Sequence, residues 1–249
     1  MNSIKRQARI AGFLYLTSIF TAPFGLFYVP GKLIASGNAT ATADNIKASE
    51  WLLRLGIASE LIGQIVSVFV VLALYRLFKS VNEHHARLLV VLGALVSVPI
   101  VFINVLNHVA ALTLVSGVDF LSVFEKSKLD ALAYLFLRLH SQGLTVVSIF
   151  WGLWLFPFGM LVIRSGFIPR VLGVLLMIAG TAYLATSFTT LVVPQYASLV
   201  RQIAFPLYFG EPPIIIWLCI WGARSRPTGA PAAQRLSTSA AEHLPGRTD

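Results

Sequence analysis

The chain has 249 residues, of which 57% are hydrophobic and 12% are charged, with a mean hydropathy of +0.79 and a formal net charge of +9. Soluble domains are typically about 25% charged, so this composition excludes a water-soluble globular fold. The positive charge does not indicate nucleic-acid binding, because the basic residues lie at the ends of apolar runs, as in membrane proteins. The composition therefore predicts one all-α domain whose main partner is the lipid bilayer.

Six apolar runs account for nearly the whole chain, and each is long enough to cross a bilayer as a helix of roughly 20 residues. They are predicted at residues 8–29, 51–78, 88–116, 131–163, 171–193 and 202–223. The first run follows three basic residues, but it is longer than a signal-peptide core and is predicted to be a retained helix. Residues 1–223 are predicted to form a six-span transmembrane domain, and residues 224–249, rich in Pro, Ala and Ser, a disordered cytoplasmic tail.

The positions of the basic residues predict the orientation of the chain. Most of them precede the first run, separate the second from the third and the fourth from the fifth, or follow the sixth: Lys5, Arg6, Arg9, Arg76, Lys79, Arg87, Arg164, Arg170, Arg224, Arg226, Arg235 and Arg247. Since Lys and Arg are enriched on the cytoplasmic side, both termini are predicted to be cytoplasmic. The longest link, residues 30–50, then lies outside, and its Ala/Thr-rich middle is expected to add a short surface helix.

One sequence pattern occurs twice. The pattern I-A-G-x-x-Y-L-x-x-x-F-T begins at Ile10 in the first run and at Ile178 in the fifth. Both runs are predicted to cross the membrane in the same direction. The repeat therefore indicates helical hairpins related by an axis along the membrane normal, a parallel arrangement of repeats.

Polar side chains within the apolar runs are the candidate functional residues, because ionisable groups in a membrane are costly and commonly serve a function. The candidates are Glu60, Gln64, Asn104, His108, Arg138, His140 and Glu211. Counted from the outer ends of their runs at about 1.5 Å per residue, the two glutamates and two histidines all lie roughly 12–14 Å deep. Arg138 and His140 point to opposite sides of one helix, so Arg138 is expected to reach outward or to pair with Glu60.

The sixth run is expected to be broken at its intramembrane carboxylate. Glu211 is followed by Pro212 and Pro213, and Pro206 precedes it. Each proline removes a backbone donor, so the carbonyls of the preceding turn are expected to lose their usual partners. Broken helices beside a charged group are typical of transporter sites.

Three functions are compatible with this polar layer. The favoured one is the binding or movement of a small polar ligand or of protons, with Glu211 bearing the charge and the histidines relaying protons. The second is a metal-dependent membrane enzyme with an ion such as zinc bound by Glu60, His108, His140 and Glu211, although no helix carries paired ligands. The third is a non-catalytic structural subunit whose polar residues hold helices together. No motif specifies a catalytic residue, a cofactor, a ligand or an oligomeric state.

Several short motifs resemble one family. They begin at Arg9, Leu53, Leu74, Leu139 and Arg164, and read R-I-A-G-x-x-Y-L, L-R-L-G, L-Y, L-H and R-S-G-F-I-P-R-V-L-G. Together they resemble the bacterial domain of unknown function 4386, over nearly everything from residue 9 to 221. The resemblance implies a multi-pass protein of the bacterial inner membrane, with no catalytic residues to transfer.

Overall fold

A computed structural model describes residues 3–223, and these are helical with no strand among them. The predicted cytoplasmic tail, residues 224–249, lies outside the described residues. The α-helices are α1 Ser3–Pro23, α2 Val29–Leu33, α3 Ala39–Ala48, α4 Glu50–Phe78, α5 Glu83–Val90, α6 Ser97–Val115, α7 Lys126–Ser165, α8 Arg170–Val192, α9 Ala197–Ala204 and α10 Pro212–Ile220. Short turns of π-helix, Phe24–Tyr28 and Val91–Val96, join α1 to α2 and α5 to α6, and 3-10 turns lie at Asp119–Leu121, Pro194–Tyr196 and Phe205–Gly210.

Five helical stretches are long and apolar enough to cross a membrane. They are Glu50–Phe78, Glu83–Val115, Lys126–Ser165, Arg170–Val192 and Pro194–Ile220, and they coincide with the second to sixth predicted spans. The all-α, multi-pass membrane class is therefore confirmed. The first predicted span, residues 8–29, falls on α1 and the π-helical turn that continues it.

Helix α7 extends well beyond the predicted span. It has 40 residues, which is roughly 60 Å at 1.5 Å per residue, about twice the thickness of the hydrocarbon core. Its first turns pack against α3, the short helix expected in the first link, which begins where the Asn38 side chain accepts the Ala41 N–H at 2.9 Å. Lys126 Nζ joins the two helices, at 3.2 Å from Asp44 Oδ1 and 2.8 Å from Asp130 Oδ2.

Paired glycines hold α7 against α8. A Cβ added to Gly152 would lie 2.9 Å from the Gly180 carbonyl oxygen, and one added to Gly159 would lie 2.6 Å from that of Gly173. Small residues at such contacts let membrane helices approach closely. The link between them turns at Gly166, whose φ of 72° is the left-handed conformation that favours glycine.

The start of α1 and the end of α10 lie at the same end of the bundle. Arg9 Nη2 donates to the Ile220 carbonyl oxygen at 2.9 Å. The links that follow α4 and α7 meet at this end too, where the rings of Phe78 and Phe167 stack with centroids 5.9 Å apart, in one buried cluster with Ala8 and Ala223. The opposite end carries α3 and the first turns of α7.

The break expected in the last apolar run is present. The chain changes from α9 to a 3-10 turn at Phe205–Gly210, and α10 begins directly after Glu211. The Tyr208 carbonyl, whose usual helical donor would be residue 212, accepts the Glu211 N–H at 3.2 Å instead. In a 3-10 turn, a carbonyl accepts from the N–H three residues ahead. The Tyr208 carbonyl therefore finds its donor at Glu211, before the two prolines.

Candidate functional site

Three buried side chains from three helices meet inside the bundle. Glu60 lies on α4, His108 on α6 and His140 on α7, and each side chain is about 4% exposed. Glu60 Oε2 is 3.0 Å from His140 Nε2, and Glu60 Oε1 is 3.5 Å from His108 Nδ1. The two imidazole rings stack, with centroids 3.5 Å apart and an interplanar angle of 23°. We call Glu60, His108 and His140 the triad.

Asparagines of α6 fix the distance between the two histidine helices. Asn104 lies one turn before His108 on the same face, and its Nδ2 donates to the His140 carbonyl oxygen at 2.9 Å. Asn107 Nδ2 donates to Asn104 Oδ1 at 3.0 Å, which holds the Asn104 amide in that orientation. Gly143 leaves the space for this amide, because a Cβ there would overlap it.

A glycine brings the first helical segment against the glutamate. A Cβ added to Gly25 would lie 3.0 Å from Glu60 Cγ and 3.3 Å from the Gly56 carbonyl oxygen. The π-helical turn that contains Gly25 follows Pro23. This segment therefore packs directly against Glu60 of the triad.

The triad has incomplete polar pairing. Glu60 Oε1 and His108 Nδ1 are buried, and neither makes a hydrogen bond within the described part of the chain. Both side chains within ion-pair distance of the carboxylate are histidines, which are charged only when protonated. A buried polar atom without a partner is costly, so these two atoms mark the place where a ligand would be most stabilising.

The donor atoms of the triad lie close together. One ligand atom from each residue of the triad lies within 4.8 Å of the others. The two contacts of the carboxylate are made by different oxygens, 3.0 Å from Oε2 to His140 Nε2 and 3.5 Å from Oε1 to His108 Nδ1. Two imidazoles and a carboxylate are a ligand set known from catalytic zinc sites, where a fourth position stays open.

An apolar cavity adjoins the triad. Its only polar lining residue is His108, and aliphatic side chains that include Val29, Leu33, Leu53 and Leu137 form the rest of the wall. The cavity lies between His108 and the α2–α3 segment, so it approaches the triad from the end of the bundle that carries α3.

The other predicted site residues are distributed differently. Asn104 belongs to the triad's surroundings, whereas Arg138 is exposed and Gln64, one turn after Glu60, is partly exposed. The ion pair between Arg138 and Glu60 that the sequence allowed is not among the contacts of the described residues. Because Arg138 and His140 lie on opposite sides of α7, burial of the histidine directs the arginine outward.

Glu211 lies apart from the triad. Its carboxylate accepts hydrogen bonds from the hydroxyls of Tyr15 on α1 and Tyr183 on α8, the second at 3.4 Å. Tyr15 contacts Glu211, and Gly25 contacts Glu60. Along the first helical segment, Tyr15 and Gly25 are separated by about 15 Å at 1.5 Å per residue. The expectation of one common depth therefore fails for Glu211, because its helical stretch begins at Pro194 rather than near residue 202, which places the carboxylate deeper.

Sequence reasoning noted Tyr15 and Tyr183 only as members of the repeated pattern and did not single out Gly25. The recurrence of tyrosine at the same position of two apolar helices was the available signal for the first two. Nothing in the local sequence distinguishes Gly25 from the other glycines, since its role depends on the side chain opposite it.

The fold and the buried triad define a multi-pass α-helical membrane protein with a candidate metal site. The sequence profile described as Domain of unknown function (DUF4386) matches residues 10–222, and the chain belongs to this family, as its motifs indicated.

An uncharacterized protein of Archaeoglobus fulgidus is 34% identical over 76 residues, which are 30% of this chain and 44% of the archaeal protein. The chain thus matches less than half the length of that relative. No solved structure matches the chain.

Proposed function

We propose that this chain is an inner-membrane protein that binds a divalent transition-metal ion, with zinc as the best fit, at Glu60, His108 and His140. The observation that carries the proposal is the convergence of three buried donors from three helices with two of their atoms unpartnered. A divalent ion would satisfy both atoms and neutralise the carboxylate, which no Lys or Arg approaches among its described contacts. The predicted fourth ligand, Glu211, is left out because it bonds to tyrosines elsewhere.

The proposal includes the finer topology. The chain crosses six times, with α1 and its continuation as the first span and both termini in the cytoplasm. Support comes from the Lys and Arg at the end of the bundle where α1 begins and α10 ends, as the positive-inside rule requires. The predicted parallel repeat is supported by Tyr15 and Tyr183, equivalent residues of the pattern that contact the same carboxylate.

With an ion bound, the triad would serve a metal-dependent membrane enzyme. Zinc held by two histidines and a carboxylate lowers the pKa of a bound water to near neutrality and polarises carbonyl groups. The residues of this chain would hold the ion, exclude bulk water and set its orientation through Asn104.

A second function, proton handling at the same residues, is favoured by the ring stacking of the histidines. Their centroids are 3.5 Å apart, and His140 Nε2 is 3.0 Å from the carboxylate. A proton could be shared by these three groups because both histidines lie within hydrogen-bond or ion-pair distance of the carboxylate. The two functions are distinguished by metal content.

The test is elemental analysis of the purified protein after loading with zinc and removal of free metal. We expect about one zinc per chain in the wild type, and a loss of most of it in Glu60→Gln, His108→Ala and His140→Ala. His84→Ala is the matched control, because His84 is exposed in the first turn of α5. Equal zinc in the triad variants and in the wild type would contradict the proposal, as would a wild type that retains none.

A further inference from the structure

A second polar cluster lies where the last membrane segment is broken. The Glu211 carboxylate, at the start of α10, accepts from the hydroxyls of Tyr15 and Tyr183. The Tyr183 ring packs on the Tyr208 ring, with centroids 4.7 Å apart, and the Tyr208 hydroxyl donates to Thr186 Oγ1 at 2.9 Å. The triad does not use any of these groups.

The two tyrosines that hold the carboxylate occupy equivalent positions. Each is the tyrosine of the pattern I-A-G-x-x-Y-L, in α1 and in α8 respectively. Both helices run antiparallel to the last segment. On α1, Gly12 precedes Tyr15 and lies against Leu218, which follows Glu211. On α8, Thr186 follows Tyr183 and contacts Tyr208, which precedes Glu211. The carboxylate therefore sits between two like helices that approach it in the same direction.

The charge of Glu211 has no counterpart among its described contacts. Both hydrogen bonds to the carboxylate come from neutral hydroxyls, and from α1 and α8 the titratable groups that face it are these two tyrosines. A carboxylate at membrane depth is costly unless a cation or a proton neutralises it.

A backbone oxygen two residues before Glu211 also lacks its helical donor. The Phe209 carbonyl would accept from the N–H three or four residues ahead, but Pro212 and Pro213 have none. Unpaired backbone groups in a membrane persist where they line a cavity or hold a ligand. The groups gathered at this break are all oxygens, the ligand atoms that small hard cations select, whereas the triad contributes two nitrogens.

We propose that Glu211, with the hydroxyls of Tyr15 and Tyr183, forms a second site that binds a small monovalent cation, either Na⁺ or a proton. The site goes beyond the proposed metal function and is independent of it. The two lie about 15 Å apart along the first helical segment, and they share no residue. Binding neutralises the carboxylate and joins the two equivalent helices to the broken segment.

The experiment measures the thermal midpoint of the purified full-length protein in detergent. One arm exchanges choline for Na⁺ at constant ionic strength and pH, and the other lowers the pH from about 8 to about 5 in choline. Near a hundredfold excess over its dissociation constant, the cation is expected to raise the midpoint by about 5–10 °C. Since lowering the pH also protonates groups elsewhere in the chain, the result of each arm is the difference between the wild type and Glu211→Gln.

A shift in either arm that disappears in Glu211→Gln supports the site, and the arm identifies the cation. No shift in either arm, or an equal shift in Glu211→Gln, overturns it. If Glu211→Gln does not fold, Tyr183→Phe replaces it, with an expected loss of affinity of about tenfold for one hydroxyl; an unchanged affinity overturns the proposal. Zinc content of the same variants is expected to match the wild type, which separates failure of this site from failure of the metal site.

Discussion

Asn104 connects the two helices that carry the histidines. Its side chain donates to the His140 carbonyl oxygen, and it precedes His108 by one turn of α6. It touches no ligand atom of the triad, so we regard it as a positioning residue. Outer contacts of this kind commonly change metal affinity by about 10–100-fold when removed. Its amide in turn depends on Asn107.

We expect Asn104→Leu to weaken zinc binding by about tenfold and to lower stability by about 0.6–1.7 kcal/mol, the range for hydrogen bonds between membrane helices. The variant loses the only described side-chain bond from α6 to the His140 carbonyl, so the imidazoles are held less well. Zinc titration and thermal unfolding measure the two effects. Thr113→Val is the control, because its hydroxyl bonds only the Val109 carbonyl within α6; an equal effect of both variants would contradict the positioning role.

At the scale of residues, the sequence named the three residues of the triad as candidates, but it also placed Glu211 with them. Helix positions alone indicated that Glu60, His108 and His140 share a depth. Glu211 was misplaced by counting from residue 202, because the polar residues of α9 and the 3-10 turn hid the true start of the helical stretch. Partners such as Gly25 depend on which helices become neighbours, and apolar patterning does not encode this.

At the scale of elements, the close approach of the first segment to α4 depends on glycine. Gly25 lies against Glu60, and Gly56 lies against Val29, where an added Cβ would be 3.1 Å from the Val29 side chain. These contacts bring the π-helical turn close enough to cover the triad. Hence the helix pair and the site are parts of one packing arrangement.

We expect Gly25→Ala to destabilise the protein by about 1–3 kcal/mol through overpacking against Glu60 and to weaken zinc binding. Gly31→Ala is the matched control, since nothing lies within 4 Å of its added Cβ, and its effect is expected within about 0.5 kcal/mol. Thermal unfolding with and without zinc measures both. Equal midpoints for the two variants would refute the proposed contact.

The elements themselves were predicted well where apolar length defines them and poorly elsewhere. The five stretches from α4 to α10 fall where the apolar runs predict them. The first turns of α7 were missed because Lys126 and Asp130 are charged. Lys126 contacts Asp130 within α7 and Asp44 on α3. The two π-helical turns have no local signal in the sequence.

At the scale of the whole molecule, alternation of the links defines the topology. One end of the bundle carries the start of α1, the end of α10 and the links after α4 and α7. The other end carries the α3 region and the start of α7. The first of these ends carries the basic residues of the two links and of the start of α1: Lys5, Arg6, Arg9, Arg76, Lys79, Arg87, Arg164 and Arg170. Sequence predicted this alternation, whereas the meeting of Tyr15 and Tyr183 at Glu211 depends on three-dimensional packing.

We expect a cysteine at position 122 to react with a membrane-impermeant maleimide in intact spheroplasts, and one at position 164 to react only after lysis. Ser122→Cys and Arg164→Cys are made in a Cys219→Ser background, and both positions are exposed at opposite ends of the bundle. The reason is the positive-inside rule applied to the basic links. The reverse labelling pattern would invert the proposed orientation.

The central claim is that Glu60, His108 and His140 together bind one metal ion, and X-ray absorption at the zinc edge tests it most directly. For the zinc-loaded protein we predict two imidazole ligands and one or two oxygen ligands at about 2.0–2.1 Å, with no sulfur. His140→Ala should remove one imidazole or the bound zinc. A spectrum with oxygen ligands alone, or one unchanged in His140→Ala, would contradict the account.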